Sequence, residues 1–75
     1  MKLELGIWKW RSDSRYYTVR LQQNLFNEWT LIKSWGGLQN NLGNLAVQTF
    51  NHIDDATKEI ENIRKRRVSR HYKIV

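Results

Sequence analysis

Polar and apolar residues alternate with period two through the first two-thirds of the chain, and the spacing becomes helical in the last third. Residues 2–11 alternate weakly, with Leu3, Leu5 and Ile7 on one face and Glu4, Gly6 and Trp8 on the other. Ser12-Asp13-Ser14 has the composition of a turn. Residues 15–23 alternate well, Tyr17, Val19 and Leu21 pointing one way and Tyr16, Thr18, Arg20 and Gln22 the other. Residues 24–27 form a tight connection with an asparagine at each end, a residue that tolerates a left-handed backbone. A third strand is predicted over 28–35, with Trp29, Leu31, Lys33 and Trp35 on one face and Thr30, Ile32 and Ser34 on the other. Gly36-Gly37 breaks that strand, and Gln39-Asn40-Asn41-Leu42-Gly43 is a polar loop. A fourth strand over 44–50 sets Leu45, Val47 and Thr49 against Ala46, Gln48 and Phe50.

The remainder is a helix. Asn51 is its expected cap, with Asp54 three residues on as a capping-box partner. Asp54 and Asp55 suit the positive end of the helix dipole, and Lys65, Arg66, Arg67 and Arg70 suit the negative end. Ile53, Ala56, Ile60 and Ile63 make one apolar stripe that covers the sheet. Val68 lies off the stripe, so the last turn is expected to fray, and residues 72–75 can return as a short strand on the sheet edge. The expected fold is α+β: an antiparallel sheet of four or five strands with one C-terminal helix packed on one face. No crossover is long enough for a parallel sheet.

At 75 residues the chain is one small domain, 1–75, with a thin core. It has no cysteine to form a disulfide or a thiolate metal site, so four Trp, three Tyr and two Phe must supply the burial. No apolar run is long enough for a transmembrane helix, and Glu4 interrupts what a signal peptide would need as its apolar stretch. These features lead us to expect a soluble, cytoplasmic protein of a reducing compartment. Thirteen Lys and Arg against seven Asp and Glu give a net charge of +6, an excess that favours polyanionic partners, nucleic acid before membrane. The same excess also serves simple solubility.

Candidate chemistry follows from that charge. Trp35, at a strand end, offers a platform for base or sugar stacking, although a tryptophan on an alternating strand commonly belongs to a core. Gly36 and Gly37 allow close approach of a sugar-phosphate backbone, or simply make a turn. Arg64, Lys65, Arg66 and Arg67, with Arg70 and Lys73, form the densest cationic run. Successive helical residues diverge by about 100°, so two or three of them at most can follow one phosphate track, and Arg64 and Arg67 are candidates. Arg15, Arg20 and Lys33 are expected near the turn-rich end that holds Trp35. Arg20 and Lys33 as cross-strand neighbours would repel unless an anion lay between them.

Other chemistry is poorly supported. His52 and His71 lack companions for a metal site, and Asp54 and Asp55 beside His52 are explained by capping. There is no nucleophile motif, Walker loop or dinucleotide-binding turn. A chain this short is not expected to enclose a pocket of the ~300–1,000 Å³ usual for small substrates. We therefore expect no enzyme activity, no cofactor and no small-molecule substrate.

The run Leu25-Phe26-Asn27-Glu28-Trp29-Thr30-Leu31-Ile32-Lys33-Ser34-Trp35-Gly36-Gly37 resembles the WGR domain, in particular its short standalone bacterial forms. Those show Leu-Phe-Gly-Gly-Trp, a strand and then Trp-Gly-Arg. Arg15-Tyr16-Tyr17-Thr18-Val19-Arg20-Leu21 is similar to the aromatic-rich strand before the motif. Gly43, Phe50 and Ala56 match the loop glycine, phenylalanine and helix alanine that follow it, and residues 65–72 match the basic helix end. There are departures. Gly37 stands where the motif has arginine, and Gln39 and His71 each stand where it has glycine. Asn27 and Glu28 replace the two turn glycines.

The resemblance implies contact with nucleic acid. In DNA-dependent poly(ADP-ribose) polymerases a domain of this kind sits at a DNA break, where the motif tryptophan stacks on a terminal sugar. Trp35 and Gly36 carry over as motif positions, and Ser14 and Arg15 lie where the family's loop approaches DNA. The motif arginine communicates with neighbouring domains in those enzymes, and Gly37 lacks that side chain.

The reading that follows is a non-enzymatic nucleic-acid-binding module, DNA favoured over RNA, contacting backbone or ends. Its site comprises Trp35, Gly36, Gly37, Ser14, Arg15, Arg20, Lys33, Arg64 and Arg67. The alternative is a protein-interaction or homodimerisation module without nucleic acid, with Trp8 and Trp10 as its surface. Membrane binding by the basic helix is disfavoured because Ile60 and Ile63 are needed against the sheet.

Overall fold

The computed structural model describes residues 3–38 and 43–75, with the side chains of residues 3–5 left undescribed. Of the expected loop at 39–43, residues 39–42 lie outside the described residues, as do the side chains of Leu3 and Leu5. The elements are β1 (Leu3–Arg11), β2 (Arg15–Gln23), β3 (Trp29–Gly37), β4 (Gly43–Phe50), α1 (Ile53–Ser69) and β5 (Lys73–Ile74). The strands form one antiparallel sheet in the order β4-β3-β2-β1-β5. The fold is thus α+β, a five-stranded antiparallel sheet with one C-terminal helix. Among the described residues, no helix is long and apolar enough to cross a membrane.

The connections follow from local chemistry. Between β1 and β2 the backbone N–H of Ser12 donates to the Arg15 carbonyl at 2.9 Å, and the Ser12 hydroxyl accepts from the Arg15 N–H at 3.1 Å. Between β2 and β3 the Asn24 side chain accepts from the N–H groups of Phe26 and Glu28 at 2.9 and 3.0 Å. Only the second asparagine, Asn27, takes the left-handed backbone, at φ 62°. Asn24 instead acts through its side chain as the hub of an Asx-type turn.

Register decides which face each strand buries. Val19 and Tyr17 on β2 oppose Trp8 and Trp10 on β1, so the two tryptophans face the helix. Trp10 is 1% exposed and Trp8 packs against the same cluster. This corrects the idea of Trp8 and Trp10 as a dimer surface: Trp10 is sealed in the core and Trp8 is partly buried against it. Ile7 lies on the helix-free face instead, and the pairing shifts between Glu4 and Gly6. The indole of Trp8 lies across Gly6, where an added Cβ would sit 2.7 Å from its ring. That crossing accounts for a glycine inside a strand.

The third strand is longer than expected. Gly36 and Gly37 remain in the ladder, Gly36 opposite Tyr16 and Gly37 opposite Arg15, rather than ending it. None of the glycines has a positive φ, so the pair supplies missing side chains and not an unusual backbone. Gly43 opens β4 opposite Gly36, and a Cβ there would lie 3.0 Å from the Tyr16 hydroxyl.

Ala56, Ile60 and Ile63 of the helix close over Val19, Leu21, Leu31 and Trp10, and this cluster is the whole buried core among the described residues. Each buried isoleucine contributes about 1.5–3 kcal/mol by leaving water. Ile53, the first residue of the helix, is 38% exposed and does not join the buried stripe. The N-cap is His52, not Asn51, and it makes no side-chain cap hydrogen bond; its carbonyl accepts from Asp55 and Ala56. Asp54 and Asp55 occupy the first turn, where the dipole favours them.

The helix end does not fray. The N–H of Tyr72 donates to the Arg67 carbonyl at 2.9 Å and that of His71 to the Val68 carbonyl at 3.1 Å, which is the Schellman pattern. His71 holds the left-handed position at φ 66°. Glycine adopts that conformation without a Cβ penalty, so His71→Gly is expected to raise stability by about 1 kcal/mol, read as a higher urea midpoint at constant slope. A lower midpoint would show that the imidazole makes a contribution the backbone argument omits.

Candidate nucleic-acid interface

The site exists because of where the helix ends. It leaves the β4 edge and must deliver the chain to β5 beyond β1. Its 17 residues reach about 25 Å at 1.5 Å each, while five strands spaced by about 4.8 Å need about 19 Å. β5 then pairs with Arg11 and Trp10, at the end of β1 next to the Ser12–Ser14 turn. Trp10 is opposite Tyr17, and Tyr17 is opposite Trp35. The basic last turn of the helix therefore lands beside the sheet end that carries the tryptophan.

Between them is a cleft of about 810 Å³, open to solvent. It is an open trough walled by a sheet end and a helix end and not an enclosed pocket, so no deep core is required. The sheet contributes Ser14, Arg15, Trp35, Gly36 and Gly37, and the helix end contributes Arg67 and Arg70. Tyr16, Tyr17 and Tyr72 complete the aromatic lining.

An aromatic and cationic stack organises one wall. Tyr17 and Trp35 stack with centroids 5.7 Å apart and planes 15° from parallel, and Trp10 meets Tyr17 edge-on at 6.4 Å. The Arg67 guanidinium lies 4.4 Å from the Tyr17 centroid and 5.0 Å from that of Tyr72. Its Nε is buried without a hydrogen-bond partner. The two ring faces supply the attraction that a hydrogen bond to that nitrogen would otherwise give, and they hold the charge at the cleft. Trp35 is half-buried: one face is committed to Tyr17, and the residue still lines the cleft.

Burial raises the Tyr17 phenol above its ordinary value of 10.0, against the opposing pull of Arg67 and then Arg66. A folded-state value raised above the unfolded one favours the protonated form. The corresponding stability is therefore complete below about pH 10 and is lost as pH climbs through the folded value. Denaturation midpoints should fall above pH 10 in the natural chain and fall less in Tyr17→Phe. Equal declines in both would remove Tyr17 as the cause.

The remaining predicted residues are not brought to the cleft. Arg20 pairs with Ile32 and Lys33 with Val19, so they occupy opposite faces of the sheet and are not cross-strand neighbours. Strand register separates them, since a shift of one residue exchanges faces. Arg20 lies on the helix-free face, in a smaller groove of about 340 Å³ shared with Lys9 and Ile32. Lys33 lies on the helix side, its Nζ donating to Gln48 Oε1 at 2.8 Å. Arg64 is exposed on the helix and bound to Glu61, with Nε 3.1 Å from both carboxylate oxygens. Leu25 and Phe26 stand exposed at the far end of the sheet.

Sequence reasoning omitted Ser12, Arg70, Tyr16, Tyr17, Tyr72 and Asn44 from the site. Arg70 follows Arg67 by three residues and so shares its helix side, a spacing that was available in the sequence. The tyrosines required the register.

The fold and cleft define a class: a small α+β module presenting arginines and aromatic rings in one solvent-open trough. A family model for the WGR domain matches residues 7–75, and the chain belongs to that family, a nucleic-acid-binding type of module. No curated protein sequence and no solved structure matches the chain significantly.

Proposed function

We propose that this domain binds DNA through the Trp35 cleft, contacting backbone and strand ends without reading sequence. The observation that carries the reading is the convergence of Arg15, Arg67 and Arg70 around one half-exposed tryptophan. Arginine pairs with phosphate oxygens through two parallel hydrogen bonds, and an indole face accepts a sugar or a base. Gly36 and Gly37 put no side chain between Trp35 and an approaching backbone. Gly37 stands where the motif arginine is expected, but its cross-strand partner is Arg15, so a guanidinium remains next to that position. The preference for DNA over RNA rests on family members that sit at DNA breaks. The domain acts as a binding module and not as an enzyme.

Anisotropy titration with a blunt-ended or nicked duplex tests this. Three phosphate contacts give a slope of about −2.7 in log affinity against log salt, so binding should weaken about 40-fold between about 50 and 200 mM. Absence of binding at the lower salt, or binding indifferent to salt, rejects the proposal.

A further inference from the structure

The two edges of the sheet are treated differently. At one edge β5 is two residues long, and Lys73 on it lies opposite Arg11. Shortness and charge are the usual means of stopping a sheet edge from recruiting another strand. At the other edge β4 has none of these guards. It pairs with β3 at every position from Gly43 to Phe50 without a bulge, and among the described residues its other side has no neighbour in the sheet. The chain contains no proline, and no Lys, Arg, Asp or Glu occurs from Ser34 to Ile53 although 27% of the residues are charged. Leu45 and Val47 point to the helix-free face and are 69% and 59% exposed.

We propose that β4 pairs antiparallel with β4 of a second copy, joining two sheets into one across a two-fold axis. The charge-free sequence selects this occupant. When a strand meets itself antiparallel, a charge at the axis faces its own copy and a charge one position away lies diagonal to it, and like charges so placed destabilise a ladder. A foreign strand imposes no such restriction. With Ala46 at the axis, Leu45 of one copy lies beside Val47 of the other on the helix-free face. Val47 already opposes Ile32, so the apolar strip becomes continuous across the junction. A two-fold axis perpendicular to the sheet leaves both Trp35 clefts on the same side, at opposite ends of the new strand pair. The net charge of +6 on each copy opposes association, so salt strengthens the dimer, the reverse of its effect on nucleic-acid binding.

Sedimentation velocity of the protein alone, over a range of concentration at low and high salt, reads this directly. A monomer–dimer equilibrium is expected, shifting to dimer with concentration and with salt. Val47→Lys places two cations at the junction and should weaken dimerisation by about tenfold or more, with circular dichroism confirming an unchanged fold. Ile7→Lys, on the same face but on β1, should leave the dimer unchanged. A monomer under all conditions overturns the proposal. So does a dimer that resists Val47→Lys, and one equally weakened by Ile7→Lys would mean stacking of faces and not pairing of edges.

Discussion

Trp10→Ala should remove roughly a third or more of the domain's stability. The side chain is 1% exposed and belongs to the small cluster that forms the core. Truncating a buried tryptophan costs about 3–5 kcal/mol through lost transfer energy and the cavity left behind. A domain of 75 residues holds only about 4–11 kcal/mol in total, at about 0.05–0.15 kcal/mol per residue. The damage should also spread, because Trp10 supports Tyr17 edge-on, and Tyr17 carries both Trp35 and Arg67. Urea titration followed by circular dichroism measures the effect. A loss below about 1 kcal/mol would show that the β1 tryptophan is not the keystone its burial implies.

Trp35→Ala should have the opposite profile: near-native folding and much weaker DNA binding. The ring sits at the end of a strand, half-buried, with one face on Tyr17, so its removal opens no central cavity. A stacking contact with a base or sugar is worth about 1–3 kcal/mol, which converts to about a 5- to 150-fold weaker dissociation constant. The salt slope should stay constant, because Arg15, Arg67 and Arg70 keep their phosphate contacts. Arg67→Lys provides the complementary test. Lysine retains the charge but not the planar guanidinium that lies over Tyr17 and Tyr72, so affinity should fall even though the net charge of +6 is unchanged. Unaltered affinity in Trp35→Ala would remove the tryptophan from the interface.

Much of the architecture was legible without coordinates. Alternation at Tyr17, Val19 and Leu21 marked β2, and the Ala56, Ile60 and Ile63 spacing marked the covering helix, because a period of two or of 3.6 is a direct consequence of backbone geometry. The return of the chain as β5 was visible as an apolar tail beyond the helix. Less legible was β1, where Trp8 and Trp10 looked available for a partner. Their partners are Val19 and Tyr17, and only pairing shows that. Arg20 and Lys33 were misplaced together for the same reason.

The amino-acid order alone determined the elements, the excess of positive charge, the charge-free stretch at β4 and the family to which the chain is similar. All of these are properties of neighbours along the chain, or of simple sums over it. Tertiary structure decided which face each strand buries, that His71 takes the left-handed position closing the helix, and that Arg67 and Arg70 meet a tryptophan more than thirty positions earlier. Those outcomes depend on strand register and on a helix long enough to span the sheet, and a cross-strand contact leaves no periodic trace in the residues that make it.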